Sequence, residues 1–453
     1  MAGIYKKYDI RGIYGEGLTE EIAYRIGRAF VTFLRGNGET CDTVVVARDI
    51  RSHSKSLFDA LTRGLIEQGA NVINLGEAST PMSYFANGTL GADASIMITA
   101  SHNPPEWNGF KLCRANAEPI SGETGIAEIE QIVLREAFAP QATVLGIITT
   151  RDVIEGYERN VSQFVRLEHP VHIAIDFANG MGIWEVKALE KNSLLTWDSL
   201  YDTPDGECPN HEANPLERET LEALQEKVRG GNYAFGVAFD GDADRAGFVD
   251  EKGEIITGDL ITALIALDMM AMGKGNVFLY DVRCSWVVKE AIEAAGGTAI
   301  MCPVGHSVIK QRMREEGAVF AGEMSAHYYF KENFVAESQA MAILAVANMV
   351  GKSGKPLSEL VAPLRKYHHT CHYQGEINIK NVKRDPQAIL DEIRATYADG
   401  RQFELDGISV EYADWWFNVR CSNTELVVRL NLEAKTKELM EAKRDEVLAI
   451  IRK

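Results

Sequence analysis

Thr43-Val44-Val45-Val46-Ala47-Arg48-Asp49 sets how the whole chain is read. A short apolar run rich in valine suits a strand covered on both faces, as in a parallel sheet. The run ends in an aspartate. A helical pattern follows over residues 54–68 and a strand over 71–75, while residues 18–34 upstream place Ile22, Ile26, Ala29 and Phe33 on one helix face. The same order recurs twice. Val171-His172-Ile173-Ala174-Ile175 ends in Asp176, with Ala178-Asn179-Gly180-Met181-Gly182 and a helix behind it. Val277-Phe278-Leu279-Tyr280 ends in Asp281, with Val282-Arg283-Cys284-Ser285 and a helix behind it. Three strand–aspartate–turn–helix units, each about one small domain apart, predict three related α/β domains.

The last stretch reads differently. Strands are expected at residues 376–379, 407–412, 415–420 and 427–432, and helices at 386–397 and from 436 onward, which makes an α+β domain. The expected domains are residues 1–143, 144–251, 252–366 and 367–453, with linkers near 139–147, 250–253 and 366–373.

Composition bounds the rest. A chain of 453 residues exceeds a single core. Its 46% hydrophobic and 25% charged content is that of a globular protein, and no apolar run is long enough to span a membrane. The first residues lack a signal peptide's apolar core. Seven scattered cysteines, with no Cys-x-x-Cys pair, point to reduced thiols and a cytoplasmic address. The formal charge of −18, from 47 basic and 65 acidic residues, disfavours nucleic acid as a partner. Any phosphate must then be held by local cations, backbone N–H groups or a metal. Oligomeric state is not legible.

Four loops carry chemistry. Ser95-Ile96-Met97-Ile98 reads as a buried strand that delivers Thr99-Ala100-Ser101-His102-Asn103-Pro104 at its carboxyl end, where open α/β sheets place ligands. Taken alone, Ser101 and Asn103 read as an ordinary polar turn. Asn108-Gly109-Phe110-Lys111 follows, and Lys111 suits proton transfer if its pKa is lowered. Asp240-Gly241-Asp242-Ala243-Asp244-Arg245 follows the strand pattern of residues 233–239. Three converging carboxylates repel one another unless a cation sits among them, and oxygen ligands at a small site favour Mg²⁺. An EF-hand reading fails, because its sixth position needs glycine and here is Arg245. Asp240 as a phosphorylated nucleophile stays open. Gly322-Glu323-Met324-Ser325-Ala326-His327 offers a carboxylate and a hydroxyl suited to vicinal sugar hydroxyls. Arg420-Cys421-Ser422-Asn423-Thr424-Glu425, with Arg429 after it, suits a phosphate. Tyr8-Asp9-Ile10-Arg11-Gly12 and Val304-Gly305-His306-Ser307 are weaker signals.

Together these segments resemble the α-D-phosphohexomutase family over essentially the whole chain, in the family's order of phosphoserine, metal, sugar and phosphate loops. The Glu-Met-Ser sugar loop resembles its phosphomannomutase and bifunctional phosphomannomutase/phosphoglucomutase members. One departure is Leu426, where the family's phosphate loop carries proline. The resemblance implies four domains around a central cleft and reversible interconversion of mannose 1-phosphate and mannose 6-phosphate, in a route feeding GDP-mannose synthesis. A phosphoserine at Ser101 and a 1,6-bisphosphosugar, which is both intermediate and activator, would carry the phosphoryl group. It implies Mg²⁺ on Ser101, Asp240, Asp242 and Asp244. Lys111 and His306 would move the hydroxyl proton, with Arg11 beside them. Glu323, Ser325, His327 and Gly305 would hold the sugar. Arg420, Ser422, Asn423, Thr424 and Arg429 would hold the non-reacting phosphate, with His102, Arg245 and Arg283 in support. Three readings compete: this mutase or its glucose-phosphate equivalent, an aspartyl-phosphate phosphatase using Asp240, and a non-catalytic phosphosugar-binding protein.

Overall fold

A computed structural model describes residues 3–380, 382, 384–421 and 427–453. The valine run forms the strand Thr43–Arg48, and period-two alternation divides its side chains between two cores. Val44 and Val46 enter one apolar cluster, Val45 and Ala47 another. Both faces are covered, so the run has no polar positions to alternate with.

The three repeats share one strand order. In the first sheet, Thr43–Arg48 lies between Asn71–Glu77 and Ala94–Ile98, both parallel to it, and Trp107–Arg114 returns antiparallel beside Ala94–Ile98. In the second, Val171–Asp176 lies between Leu195–Leu200 and Phe235–Phe239, with Ala246–Asp250 returning. In the third, Val277–Asp281 lies between Thr298–Cys302 and Phe320–Gly322, with Tyr328–Phe330 returning. The serine, metal and sugar loops therefore occupy one topological position, the turn from the outer parallel strand into its antiparallel neighbour. All three sit at carboxyl ends of parallel strands.

Two expected linkers lie inside sheets. The strand Ile148–Thr150 pairs with Asn71–Glu77, so residues 139–147 are a connection within the first sheet. Residues 251–254 close a turn between Ala246–Asp250 and Ile255–Ile256 of the second. In both places polar and turn-forming residues signalled a loop, and sequence alone does not show that both flanks return to one sheet.

One apolar cluster runs through the three units, joining Val45, Phe85, Ile173, Phe239, Leu260, Phe330 and Ile343. The fourth unit has its own cluster around Ile389, Phe417, Leu430 and Val447. It is a six-stranded antiparallel sheet of order His368–His369, Val427–Ala434, Trp415–Cys421, Ile408–Glu411 and Arg401–Phe403, with Ile377–Lys380 also on Val427–Ala434. The helices Pro386–Thr396 and Lys437–Ile451 contribute to its core.

A buried ammonium joins the third unit to the first. Lys310 Nζ lies 2.7 Å from Glu337 Oε2, both side chains 0% exposed. The ammonium also stands 3.7 Å from the centroid of the Tyr84 ring, which belongs to the first unit. Lys310→Met strands a carboxylate in the interior and is expected to cost about 3–5 kcal/mol in urea unfolding. Unchanged stability would show that Glu337 finds another partner.

Candidate active site

The serine loop folds around an unfavourable backbone. Ser101 is left-handed at φ +54°, its N–H held by Thr99 Oγ1 at 2.9 Å. This points Ser101 Oγ across to the second unit, where it donates to Asp240 Oδ2 at 2.8 Å. His102 Nδ1 lies 3.3 Å from the same Oγ.

The aspartate loop and the sugar loop are one structure used twice. Ala243 (φ +61°) donates its N–H to Asp240 O, and Ala326 (φ +63°) donates to Glu323 O. Asp240, Asp242 and Asp244 thus correspond to Glu323, Ser325 and His327. The shared frame was present in the sequence as Asp-Gly-Asp-Ala-Asp beside Glu-Met-Ser-Ala-His, and its signal is the common alanine.

Carboxylate oxygens of Asp240, Asp242 and Asp244 lie within 4.8 Å of one another, all three residues buried. Asp242 Oδ2 accepts from Thr80 Oγ1 at 2.6 Å and from Lys111 Nζ at 2.7 Å, and Lys111 also donates to Asp244. Asp242 Oδ1 is buried with no hydrogen-bond partner among the described residues. Burial, then Asp244 and Asp242, pushes the Asp240 carboxyl well above its ordinary pKa. Burial acts the same way on Asp244, but Lys111 and His327 override it and hold that carboxyl well below. A clustered, all-oxygen donor set with an unused buried oxygen fits a small divalent cation. Thr80 was not legible as part of this set, since it lies 162 positions from Asp242.

Two proton-handling groups stand in environments that the sequence did not show. In the sequence, proton transfer by Lys111 was tied to a lowered pKa. Burial does lower it, but Asp242 and Asp244 outweigh burial and raise it, so the ammonium persists. His306 opens the helix His306–Glu316, and burial, then Lys310 and Lys111, depress its pKa well below the usual value. Its Nδ1 is buried without a partner among the described residues. His102 is likewise held neutral, by burial and by Arg245 and Arg11. Arg11 donates to Asn103 Oδ1 and to Asp9 Oδ2, both at 2.5 Å, and so stands on the serine loop.

The sugar-loop residues converge. Arg283 Nη2 donates to Glu323 Oε2 at 3.2 Å and to Ser325 Oγ at 3.1 Å, and Tyr329 O–H donates to Glu323. His327 Nδ1 lies 3.2 Å from Ser325 Oγ, while its Nε2 lies 3.3 Å from Asp244 Oδ1 and 3.3 Å from Arg245 Nε. Metal and sugar loops are thereby one network, with Arg245 N–H also donating to Asp240 Oδ1 at 3.1 Å. Gly305, at φ +125°, sits under Tyr8, and a Cβ there would stand 2.7 Å from the ring.

From the fourth unit, Arg420 Nη2 donates to both oxygens of Glu376, at 2.9 and 3.0 Å, and Arg429 Nε lies 3.9 Å from the same carboxylate. Burial would raise the Glu376 pKa, but Arg420 and Arg283 bring it down to about 2. Glu376 was not anticipated: nothing in a polar strand start marks the partner of an arginine 44 positions on. Ser422, Asn423, Thr424 and Leu426 lie outside the described residues.

Known proteins are similar to this chain along its whole length. Four family models match in order: phosphoglucomutase/phosphomannomutase alpha/beta/alpha domain I over residues 3–140, domain II over 154–253, domain III over 257–367 and the C-terminal domain over 376–450. The chain is 37% identical over 460 residues to a phosphomannomutase of Escherichia coli, covering 99% of each. It is 38% identical over 453 residues to one of Methanocaldococcus jannaschii, covering 99% of this chain and 98% of that protein. A solved phosphoglucomutase/phosphomannomutase family protein from Burkholderia thailandensis is similar at TM-score 0.88 and 32% identity, covering 99% of this chain and 96% of that one. The open form of parafusin, a phosphoglucomutase from Paramecium, shares the fold at TM-score 0.78 and 14% identity, covering 99% and 95%. No helix among the described residues is long and apolar enough to cross a membrane. On four successive domain matches and full-length identity above a third, the chain belongs to the phosphoglucomutase/phosphomannomutase family of phosphohexomutases.

Proposed function

We propose that this chain is a phosphomannomutase that interconverts mannose 1-phosphate and mannose 6-phosphate through a phosphoryl group carried on Ser101. The observation that carries this reading is the Ser101 Oγ donating to Asp240 inside the carboxylate cluster, 2.8 Å away. Asp240, Asp242, Asp244 and the Ser101 side chain would hold Mg²⁺. When bound, that ion neutralises phosphoryl oxygens and draws charge from the breaking bond.

The chain's own residues do the rest. As the Ser101 Oγ–P bond breaks, an O–P bond forms to the free sugar hydroxyl, giving the 1,6-bisphosphosugar. Lys111, kept as an ammonium, is the donor for the departing Oγ. Neutral His306, with Nδ1 unpaired, accepts the hydroxyl proton. Arg11 and His102 keep the loop in place. Glu323, Ser325 and His327 grip sugar hydroxyls beside Gly305, while Arg245 and Arg283 brace them. Arg420 and Arg429, with Ser422, Asn423 and Thr424, receive the other phosphate, and Glu376 is the carboxylate it displaces from Arg420. The bisphosphosugar then turns over and returns its other phosphate to Ser101, which restores the carrier. Phosphoryl transfer requires positioning and charge neutralisation more than covalent chemistry, and these groups supply both.

Exhaustive chelation is expected to abolish turnover and added Mg²⁺ to restore it, with the far-ultraviolet circular dichroism unchanged throughout. Activity that survives chelation contradicts the metal assignment. A coupled assay at equal concentrations of mannose 1-phosphate and glucose 1-phosphate tests the substrate. Faster turnover of the glucose ester would reassign the chain as a phosphoglucomutase.

A further inference from the structure

Arg51 is 7% exposed and directs its guanidinium at a single loop. Nη1 donates to the carbonyl oxygens of Pro104 at 2.7 Å and Trp107 at 3.1 Å. Nη2 donates to those of Ser101 at 2.8 Å and Asn103 at 2.6 Å. Nε lies 3.2 Å from Asp49 Oδ2, and Asp49 Oδ1 accepts the Arg51 N–H at 3.1 Å. Four carbonyls of one turn thus converge on one cation that its own aspartate holds still.

The loop has need of such a clamp. Ser101 is held left-handed, a conformation its Cβ disfavours. The Ser101 and Asn103 carbonyls lie outside any strand, and a buried carbonyl without a donor is costly.

The repeat supports a functional reading. Asp281-Val282-Arg283 occupies the same place in the third unit. Arg283 N–H donates to Asp281 Oδ1 at 2.7 Å, its side chain pairs with Asp281, and its Nη2 reaches the sugar loop. In the first and third units an Asp-x-Arg element, at the end of Thr43–Arg48 and of Val277–Asp281, holds the loop that follows the neighbouring parallel strand. The second unit has Ala178 at this position, and its loop is held by Thr80 and Lys111 from outside.

We propose that Arg51 is a positioning residue for phosphoryl transfer. It fixes the backbone of residues 101–107 so that Ser101 Oγ faces Asp240, and it touches neither substrate nor the transferring group. This rests on Ser101 being the phosphoryl carrier. A lysine would keep the charge but lose the planar fork, so it cannot hold four carbonyls at once.

The test compares wild type, Arg51→Lys and Arg51→Gln, each loaded with glucose 1,6-bisphosphate. For Arg51→Lys the expected result is a kcat lower by about 10- to 100-fold with KM within about twofold, the scale of loss when a reacting group is misplaced by a fraction of an ångström. Residue 101 still takes up one phosphoryl group, more slowly, and amide hydrogen exchange rises over residues 99–107 alone. Arg51→Gln is expected to show the same pattern more strongly. If it fails to fold, Arg51→Lys decides. Wild-type kcat in Arg51→Lys, or a loss of kcat that merely tracks a loss of folded protein, overturns the clamp while leaving the carrier in place. Wild-type enzyme that takes no phosphoryl group on residue 101 overturns both.

Discussion

Ser101→Ala is expected to lower mutase turnover by about four orders of magnitude or more, the scale seen when a covalent carrier is deleted. The fold should survive. Ser101 is 3% exposed, its side chain makes a single strong contact to Asp240, and alanine meets the same left-handed backbone as serine. The loss is therefore chemical: no oxygen remains to accept the phosphoryl group, and water at Asp240 cannot replace a carrier fixed by the loop. Steady-state assay of the variant, with thermal unfolding as a control, checks this. A variant that still turns over at a tenth of the wild-type rate would move the carrier elsewhere.

Gly241→Ala is expected to cost about 100-fold in kcat without touching a single functional group. The glycine's φ is ordinary, so conformation is not the issue. A Cβ at position 241 would lie 2.4 Å from the Ser101 carbonyl oxygen. Neither side can give easily. That oxygen is also held by Arg51 at 2.8 Å, and the position between Asp240 and Asp242 is backbone of the carboxylate cluster. The two loops must part, which lengthens the Ser101–Asp240 contact and spreads the cation site. Stability should fall by only about 1–3 kcal/mol, as for other overpacked sites. Turnover and apparent Mg²⁺ affinity of the variant measure it, and wild-type values for both would contradict the tight approach of the loops.

The sequence carried the local layers of this structure well. Largely apolar runs closed by Asp49, Asp176 and Asp281 announced three units, because two-sided burial favours an apolar strand. Asp240, Asp242 and Asp244 stood out because clustered carboxylates need a cation. Less legible was everything that depends on through-space meeting. Arg51 follows a strand end and looks like any turn arginine, and its carbonyl targets begin 50 positions later. Thr80 and Glu376 were invisible for the same reason. The environment of Lys111 was not legible because its pKa depends on two carboxylates more than 130 positions away. Ser101 itself was ambiguous among its neighbours. The distant aspartates, and the hydrogen bond from its Oγ to Asp240, are what support reading it as more than a polar turn.

The central claim is that residue 101 carries the phosphoryl group in each turnover. It is tested most directly by rapid-quench peptide mapping of wild-type enzyme charged with ³²P-labelled glucose 1,6-bisphosphate. The expected result is an acid-stable, hydroxylamine-resistant label on the peptide containing Ser101, chased into bisphosphosugar by unlabelled mannose 6-phosphate at no less than the turnover rate. A hydroxylamine-labile label on Asp240, or a label on Ser101 that the sugar phosphate does not remove, would contradict it.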